Sequence, residues 1–171
     1  MYAERLPPHD IDAEESVIGS ILIDTEALTR VSHFLKAFDF YSEKNRWCFE
    51  ACLALFNRSE AINQVTLAHE LSLQDHLEAL GGTAYLSHLV MVVPTSVHVE
   101  HYGRIVQRTS LMRQLIRAGT EIAGIGYEGG PDADIALSQA EEMLFKVRTG
   151  RSSGDFVHIQ DVFDVYMEES G

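Results

Sequence analysis

Apolar residues recur at helical spacing along most of this chain. At about 100° per residue, positions i, i+3, i+4 and i+7 share one side of a helix. Val17, Ile18, Ile21 and Leu22 begin that rhythm within residues 7–22, PPHDIDAEESVIGSIL. Pro7 and Pro8 hold the preceding segment extended. Asp10 or Asp12 is placed to cap the first helix, with Asp12, Glu14 and Glu15 near its positive end. Leu28, Val31, Phe34 and Leu35 mark a second helix starting near Asp24 or Thr25. Asp39–Tyr41 reads as a turn and Ser42 as the cap of a third helix, whose stripe is Trp47, Cys48, Ala51, Cys52, Leu55 and Phe56. Thr66 is expected to cap a short fourth helix with Leu67, Leu71 and Leu73. Leu77–Leu80 forms a brief turn that Gly81–Gly82 stops. Thr83–Val92 gives another helix, with Tyr85, Leu86 and Leu89, and Pro94 ends the block.

The second region changes character. From near Val97 to about Tyr127 no proline interrupts the pattern, which predicts a rod of roughly 45 Å. Ile105, Leu111, Met112, Leu115, Ile116, Gly119, Ile122 and Ala123 gather on one broad side of it. Gly119 and Gly124 each weaken a helix by about 1 kcal/mol relative to Ala. EGGPD, residues 128–132, is a turn, and residues 134–148 form a second long helix, so the two make an antiparallel hairpin. Residues 149–155, TGRSSGD, read as a flexible linker. Val157–Glu169 resumes helical spacing with Ile159, Val162, Phe163 and Tyr166, a short amphipathic helix that either docks on another subunit or folds back on the hairpin. The only short β-branched run, Val90–Val93, is ended by proline. The expected fold is all-α: a globular helical head over residues 1–95, a hairpin over 96–148, and a linker with its helix over 149–171.

Composition narrows the function. The 171 residues carry a net charge of −13, which argues against gripping nucleic acid through phosphates. Residues 155–171 hold five acidic groups and no Lys or Arg, an excess suited to a basic partner. No apolar run is long enough for a membrane helix and MYAERLPPHD lacks a signal-peptide core, so the expectation is a cytoplasmic protein without a membrane. Cys48 and Cys52, four apart on one helix, read as core residues rather than a disulfide or half of a metal site.

Candidate chemistry is sparse. None of Lys36, Lys44 and Lys146 follows a glycine, so there is no phosphate-binding loop. Gly124–Gly129 fits G-x-G-x-x-G but follows a helix instead of a strand, and reads as a helix end. His98 and His101 are three apart without further ligands nearby, and no histidine has Glu three residues before it, which disfavours zinc and di-iron sites. There is no G-x-S-x-G elbow. Arg104 and Arg108 fall near the apolar side of the rod, Arg113 and Arg117 opposite, a split that suits separate contacts better than one nucleic-acid stripe.

The opening string resembles the start of the N-terminal domain of bacterial replicative DNA helicases, the DnaB family. DFYSEKNRWCFEACLALF (39–56), VTLAHEL (65–71), LGGTAYLSHL (80–89) and VPTSVHVEHYGRIVQRTSLMRQLIRAGTEIA (93–123) resemble its later blocks, so the similarity covers nearly the whole chain. His98 and His101 depart from it, standing where the family pattern has Asn and Tyr. The resemblance implies hairpins that pair between subunits and heads that form a trimer-of-dimers collar on a hexameric motor ring. It implies primase recruitment at positions matching Tyr85, Ile116 and Ile122, although each also fits an intramolecular stripe. It places subunit contacts at Ile105, Leu111, Met112, Leu115 and Gly119, and linker-helix docking at Ile159, Val162, Phe163 and Tyr166. A helicase loader is a further partner. ATP, Mg and most DNA contact belong to a motor domain beyond these residues, so no catalytic, cofactor or metal residue is expected in them. A stand-alone helical adaptor and a helical metalloenzyme are the rival readings.

Overall fold

Asp10 starts the first helix. Its carboxylate accepts from the Ala13 amide at 2.9 Å in the computed structural model, which describes residues 5–152. The helices are α1 (Ile11–Ile23), α2 (Glu26–Ser32), α3 (Glu43–Asn57), α4 (Gln64–Leu73), α5 (Leu77–Leu80), α6 (Gly82–Val92), α7 (Val99–Glu128) and α8 (Ala133–Ser152), with a 3-10 turn at Ala37–Asp39 between α2 and α3. No strand occurs among the described residues. The fold is all-α: a helical head and a helical hairpin.

The chain divides into two compact units, residues 1–112 and 113–171. In the first, α1 packs on α6, α6 on α4, α4 on α3 and α3 on α1, closing four helices around one core. Val17, Ile18 and Ile21 of α1 expose no surface, nor do Leu28, Val31, Cys48, Phe49, Cys52, Leu67, Leu71, Leu86 and Leu89 from the other helices. Burial of such side chains is worth about 1.5–3 kcal/mol each before chain entropy is subtracted. α1 and α6 approach closely. A Cβ built on Gly19 would lie 2.2 Å from the Leu89 carbonyl oxygen, so the backbones meet where only glycine fits.

Several local expectations change. Asn63, not Thr66, caps α4: its Oδ1 accepts from the Val65 and Thr66 amides, and Thr66 Oγ1 accepts from the Asn63 amide. Leu73, counted in the stripe, is largely exposed. Ser42 makes no side-chain cap for α3; the carboxylate of Glu14 accepts from the Tyr41 and Ser42 amides instead. Glu14, read as a carboxylate favouring its own helix, is wholly buried and serves the start of α3 instead. Gly81, at φ +110°, ends α5 as expected.

The largest revision concerns α7. The broad apolar side read from the sequence is not the side that meets the head. Over the first three turns of α7, Val99, Gly103, Val106 and Ser110, at i, i+4, i+7 and i+11, are the buried positions. A Cβ on Gly103 would stand 3.0 Å from Phe34 Cζ and 3.1 Å from Val31 Cγ1. Ser110 Oγ donates to the buried Asp39 carboxylate at 2.6 Å, Gln107 Nε2 donates to the Phe34 carbonyl at 3.3 Å, and the Arg104 guanidinium lies 3.7 Å from the Phe34 ring centroid. Glycine and serine carry no hydrophobic signal, so this stripe is silent in an apolar pattern. It places the first three turns of α7 in the head, and the contact boundary falls well after residue 95.

The second unit contains the rest of α7 and α8, joined by Gly129–Asp132. Asp132 Oδ1 accepts from the Asp134 amide at 2.9 Å, capping α8. α8 continues to Ser152, past the expected end at residue 148. Within that extension Thr149 Oγ1 donates back to the Phe145 carbonyl at 3.0 Å, the usual outlet for a threonine hydroxyl inside a helix. The linker-helix positions Ile159, Val162, Phe163 and Tyr166 lie outside the described residues.

Candidate partner-binding surface

Among the described residues no three His, Cys, Asp or Glu side chains converge on a metal-sized site. His98 precedes α7 and His101 is on its first turn, both exposed. The thiols are poor nucleophiles. Burial pushes Cys48 up to about 12, and Cys52, whose first cause is also burial, higher still. Gly124–Glu128 lies inside α7 and Gly129 is the first residue beyond it, so G-x-G-x-x-G is a helix end here. The rest of the described surface is made of hydrogen-bonded polar groups and exposed apolar side chains.

The most structured part of that surface is the corner where α1, α3 and α6 meet. Tyr85, on the first half of α6, has a half-buried ring with Lys44 Nζ 5.3 Å from its centroid. Its hydroxyl points inward and donates to Asn45 Oδ1 at 2.5 Å, with Glu15 Oε1 at 3.5 Å. Asn45 is fully buried, and its Nδ2 donates to Glu14 Oε2 at 3.1 Å. The carboxylate can only accept, so the Asn45 amide group must face it and the Asn45 oxygen must face the phenol. His88 Nε2 closes the outer edge, 2.8 Å from Glu15 Oε2. Burial first, then the charge of Glu15, hold the Tyr85 phenol well above its ordinary range, so it stays a neutral donor.

The hairpin presents a different surface. Ile116 is 55% exposed, and Leu115 and Met112 are exposed as well. Ile122 and Leu111 are half-buried. A Cβ on Gly119, Gly124 or Gly126 would meet nothing within 4 Å. On α8, Ile135, Leu137, Leu144 and Phe145 are exposed, Phe145 at 63%. Ile105 differs from the other residues expected at subunit contacts: it packs partly against the head core. Tyr85 belongs to the first unit, and Ile116 and Ile122 to the second. Sequence reasoning missed Asn45 and the role of Glu14. Asn45 stands among Glu43, Lys44 and Arg46 in the polar first turn of α3, and Glu14 between Asp12 and Glu15 in the acidic first turns of α1, so nothing in the spacing marks either as buried.

Fold and surface together define an all-α head that leads into a long hairpin with large apolar side chains exposed. Residues 6–108 match the family described as DnaB-like helicase N-terminal domain. The chain belongs to that family. It is 38% identical over 162 residues to the replicative DNA helicase DnaB of Geobacillus stearothermophilus, covering 95% of this chain and 36% of that protein. It is 34% identical over 167 residues to DnaB of Mycobacterium leprae, covering 96% and 28%. The chain therefore spans about a third of the length of these relatives. The crystal structure of the N-terminal domain of DnaB helicase from Mycobacterium tuberculosis superposes with a TM-score of 0.79 at 34% identity, over 83% of this chain and 99% of that one. A DnaB-like replicative helicase, described with its interactions with primase, shares the fold at TM-score 0.69 and 20% identity, over 95% of this chain and 35% of that one.

Proposed function

We propose that this chain is the assembly and primase-recruiting part of a hexameric, ATP-dependent replicative DNA helicase. The supporting observation is the set of large apolar side chains left exposed on the hairpin, Leu115, Ile116, Ile135, Leu137, Leu144 and Phe145. Large apolar side chains exposed in this number on one unit suit a protein interface. In this reading the hairpins pair between copies, the pairs form a trimer-of-dimers collar, and the collar recruits primase through Tyr85, Ile116 and Ile122. A helicase loader is a further partner, and the assembly works in the cytoplasm.

ATP hydrolysis and strand separation belong to the other two thirds of the parent protein. None of this chain's three lysines stands in a glycine-rich loop that would cradle phosphates. ATP and Mg are therefore assigned to a motor portion, and most DNA contact with them. The net charge of −13 fits that division, since phosphate binding needs clustered cations.

Two measurements test the reading. The pure chain is expected to show no ATP turnover above the buffer rate; sustained turnover rejects a non-catalytic role. The chain is expected to bind primase from the same source, and Ile116→Asp is expected to weaken binding by at least about 10-fold, because a carboxylate would be desolvated in an apolar contact. Unchanged affinity, with helicity unchanged by circular dichroism, rejects that surface. A stand-alone adaptor would bind partners without copies of itself, and a metalloenzyme would retain metal after dialysis.

A further inference from the structure

The residue that decides how Tyr85 is presented lies beneath the surface. The Tyr85 ring is only partly packed against the head core, so the bonds of its hydroxyl also decide how it is presented. That hydroxyl is held from inside. Tyr85 Oη donates to Asn45 Oδ1 at 2.5 Å, and Asn45 Nδ2 donates to Glu14 Oε2 at 3.1 Å. Glu14 in turn accepts from the Tyr41 and Ser42 amides at the start of α3. Asn45 and Glu14 expose no surface, so neither is reachable by a partner. The relay runs through one side chain from each of α1, α3 and α6, and its polarity is fixed, because each member has one chemically allowed orientation toward the next.

We infer that Asn45 is a positioning residue for the partner surface: tied to the buried Glu14, it fixes the Tyr85 ring by accepting from its hydroxyl. Partner affinity then depends on a side chain that no partner touches. This inference rests on the reading that Tyr85 faces primase, and it adds a requirement that reading does not contain. A Tyr85 that contributes only ring surface would be replaceable by phenylalanine. A Tyr85 that must be held would not be.

The test measures primase affinity calorimetrically for the 171-residue chain and its Tyr85→Ala, Tyr85→Phe, Asn45→Ala and Asn45→Ala/Tyr85→Phe variants. Tyr85→Phe and Asn45→Ala are each expected to weaken binding by about 3- to 10-fold, the scale of one hydrogen bond. The double variant is expected to be no weaker than Asn45→Ala alone, because both changes cut the same relay. Ile62→Val, a buried change off the relay, serves as the stability control and is expected to keep parental affinity. Parental affinity in Tyr85→Phe and Asn45→Ala, with a loss in Tyr85→Ala, overturns the positioning role while leaving the Tyr85 contact standing. Multiplicative losses in the double variant overturn it too. Parental affinity in Tyr85→Ala removes the contact and the inference with it. Where Asn45→Ala does not fold, Tyr85→Phe alone carries the comparison, since it leaves Asn45 bonded to Glu14.

Discussion

At Gly19 a single methyl group is enough to separate two helices. The Cβ of an alanine there would fall 2.2 Å from the Leu89 carbonyl oxygen, a backbone atom that moves only if α6 moves. Alanine normally gains up to about 1 kcal/mol over glycine inside a helix, so an unconstrained site would be stabilised. At Gly19 the steric term wins, and Gly19→Ala is expected to lower the unfolding free energy by about 2–3 kcal/mol. Gly124→Ala is the internal contrast: nothing lies within 4 Å of its Cβ, and that variant should gain stability. Chemical denaturation of both reads the difference, and a neutral Gly19→Ala would mean that α1 and α6 are not in backbone contact. Gly19, Gly103, Glu14 and Asn45 share one reason for being invisible in the sequence. Each acts through a particular atom of a residue far away in the chain, whereas Val17, Ile18 and Ile21 are legible because any core would bury them.

Elements were more legible than residues, with the errors concentrated where polar or small residues do the packing. The stripes of α1, α3 and α6 are legible because apolar groups mark them; Cys48, Ala51, Cys52 and Leu55 are all buried, although Phe56, read into the α3 stripe, is exposed at its C-terminal end. The head-facing side of α7 is not, since half of it is Gly103 and Ser110. The start of α4 shifts to Asn63 because either Asn63 or Thr66 is a good cap and geometry chooses. α3 also carries a pH consequence. Cys48 titrates near 9 when unfolded, and burial pushes it up to about 12 in the folded chain, with Cys52 raised in the same direction. A raised folded value means that the stabilisation is complete below the unfolded value and is lost as pH climbs through the window from about 9 to about 12. The half-buried Tyr85 phenol, raised for the same first reason, adds to the loss with the same sign. The urea midpoint is therefore expected to fall as pH rises above 9, less steeply in Cys48→Ala/Cys52→Ala than in the parent. Equal slopes would place both thiols in contact with solvent.

For the whole molecule, the proposed self-association makes opposite demands on two hairpin positions, and that opposition can be measured. Leu115 is exposed and Gly119, one turn further along α7, has open space around its Cβ in the single chain. If a second copy covers this stretch, Leu115→Glu would bury a carboxylate in an apolar contact, and sedimentation velocity should find monomer at concentrations where the parent is oligomeric. Gly119→Ala is the finer probe. In the isolated chain it removes a flexible residue from an exposed helix and should raise the melting temperature of the monomer, by up to about 1 kcal/mol in stability. In the assembly the added methyl holds two helices further apart, so the same variant should weaken association. Charge supplies a further sign: copies of net charge −13 repel one another, and added salt should strengthen pairing by screening that repulsion. Parental association in both variants would move the subunit contact away from Leu115 and Gly119, leaving α8, with Ile135, Leu137, Leu144 and Phe145 exposed, as the surface on which copies meet.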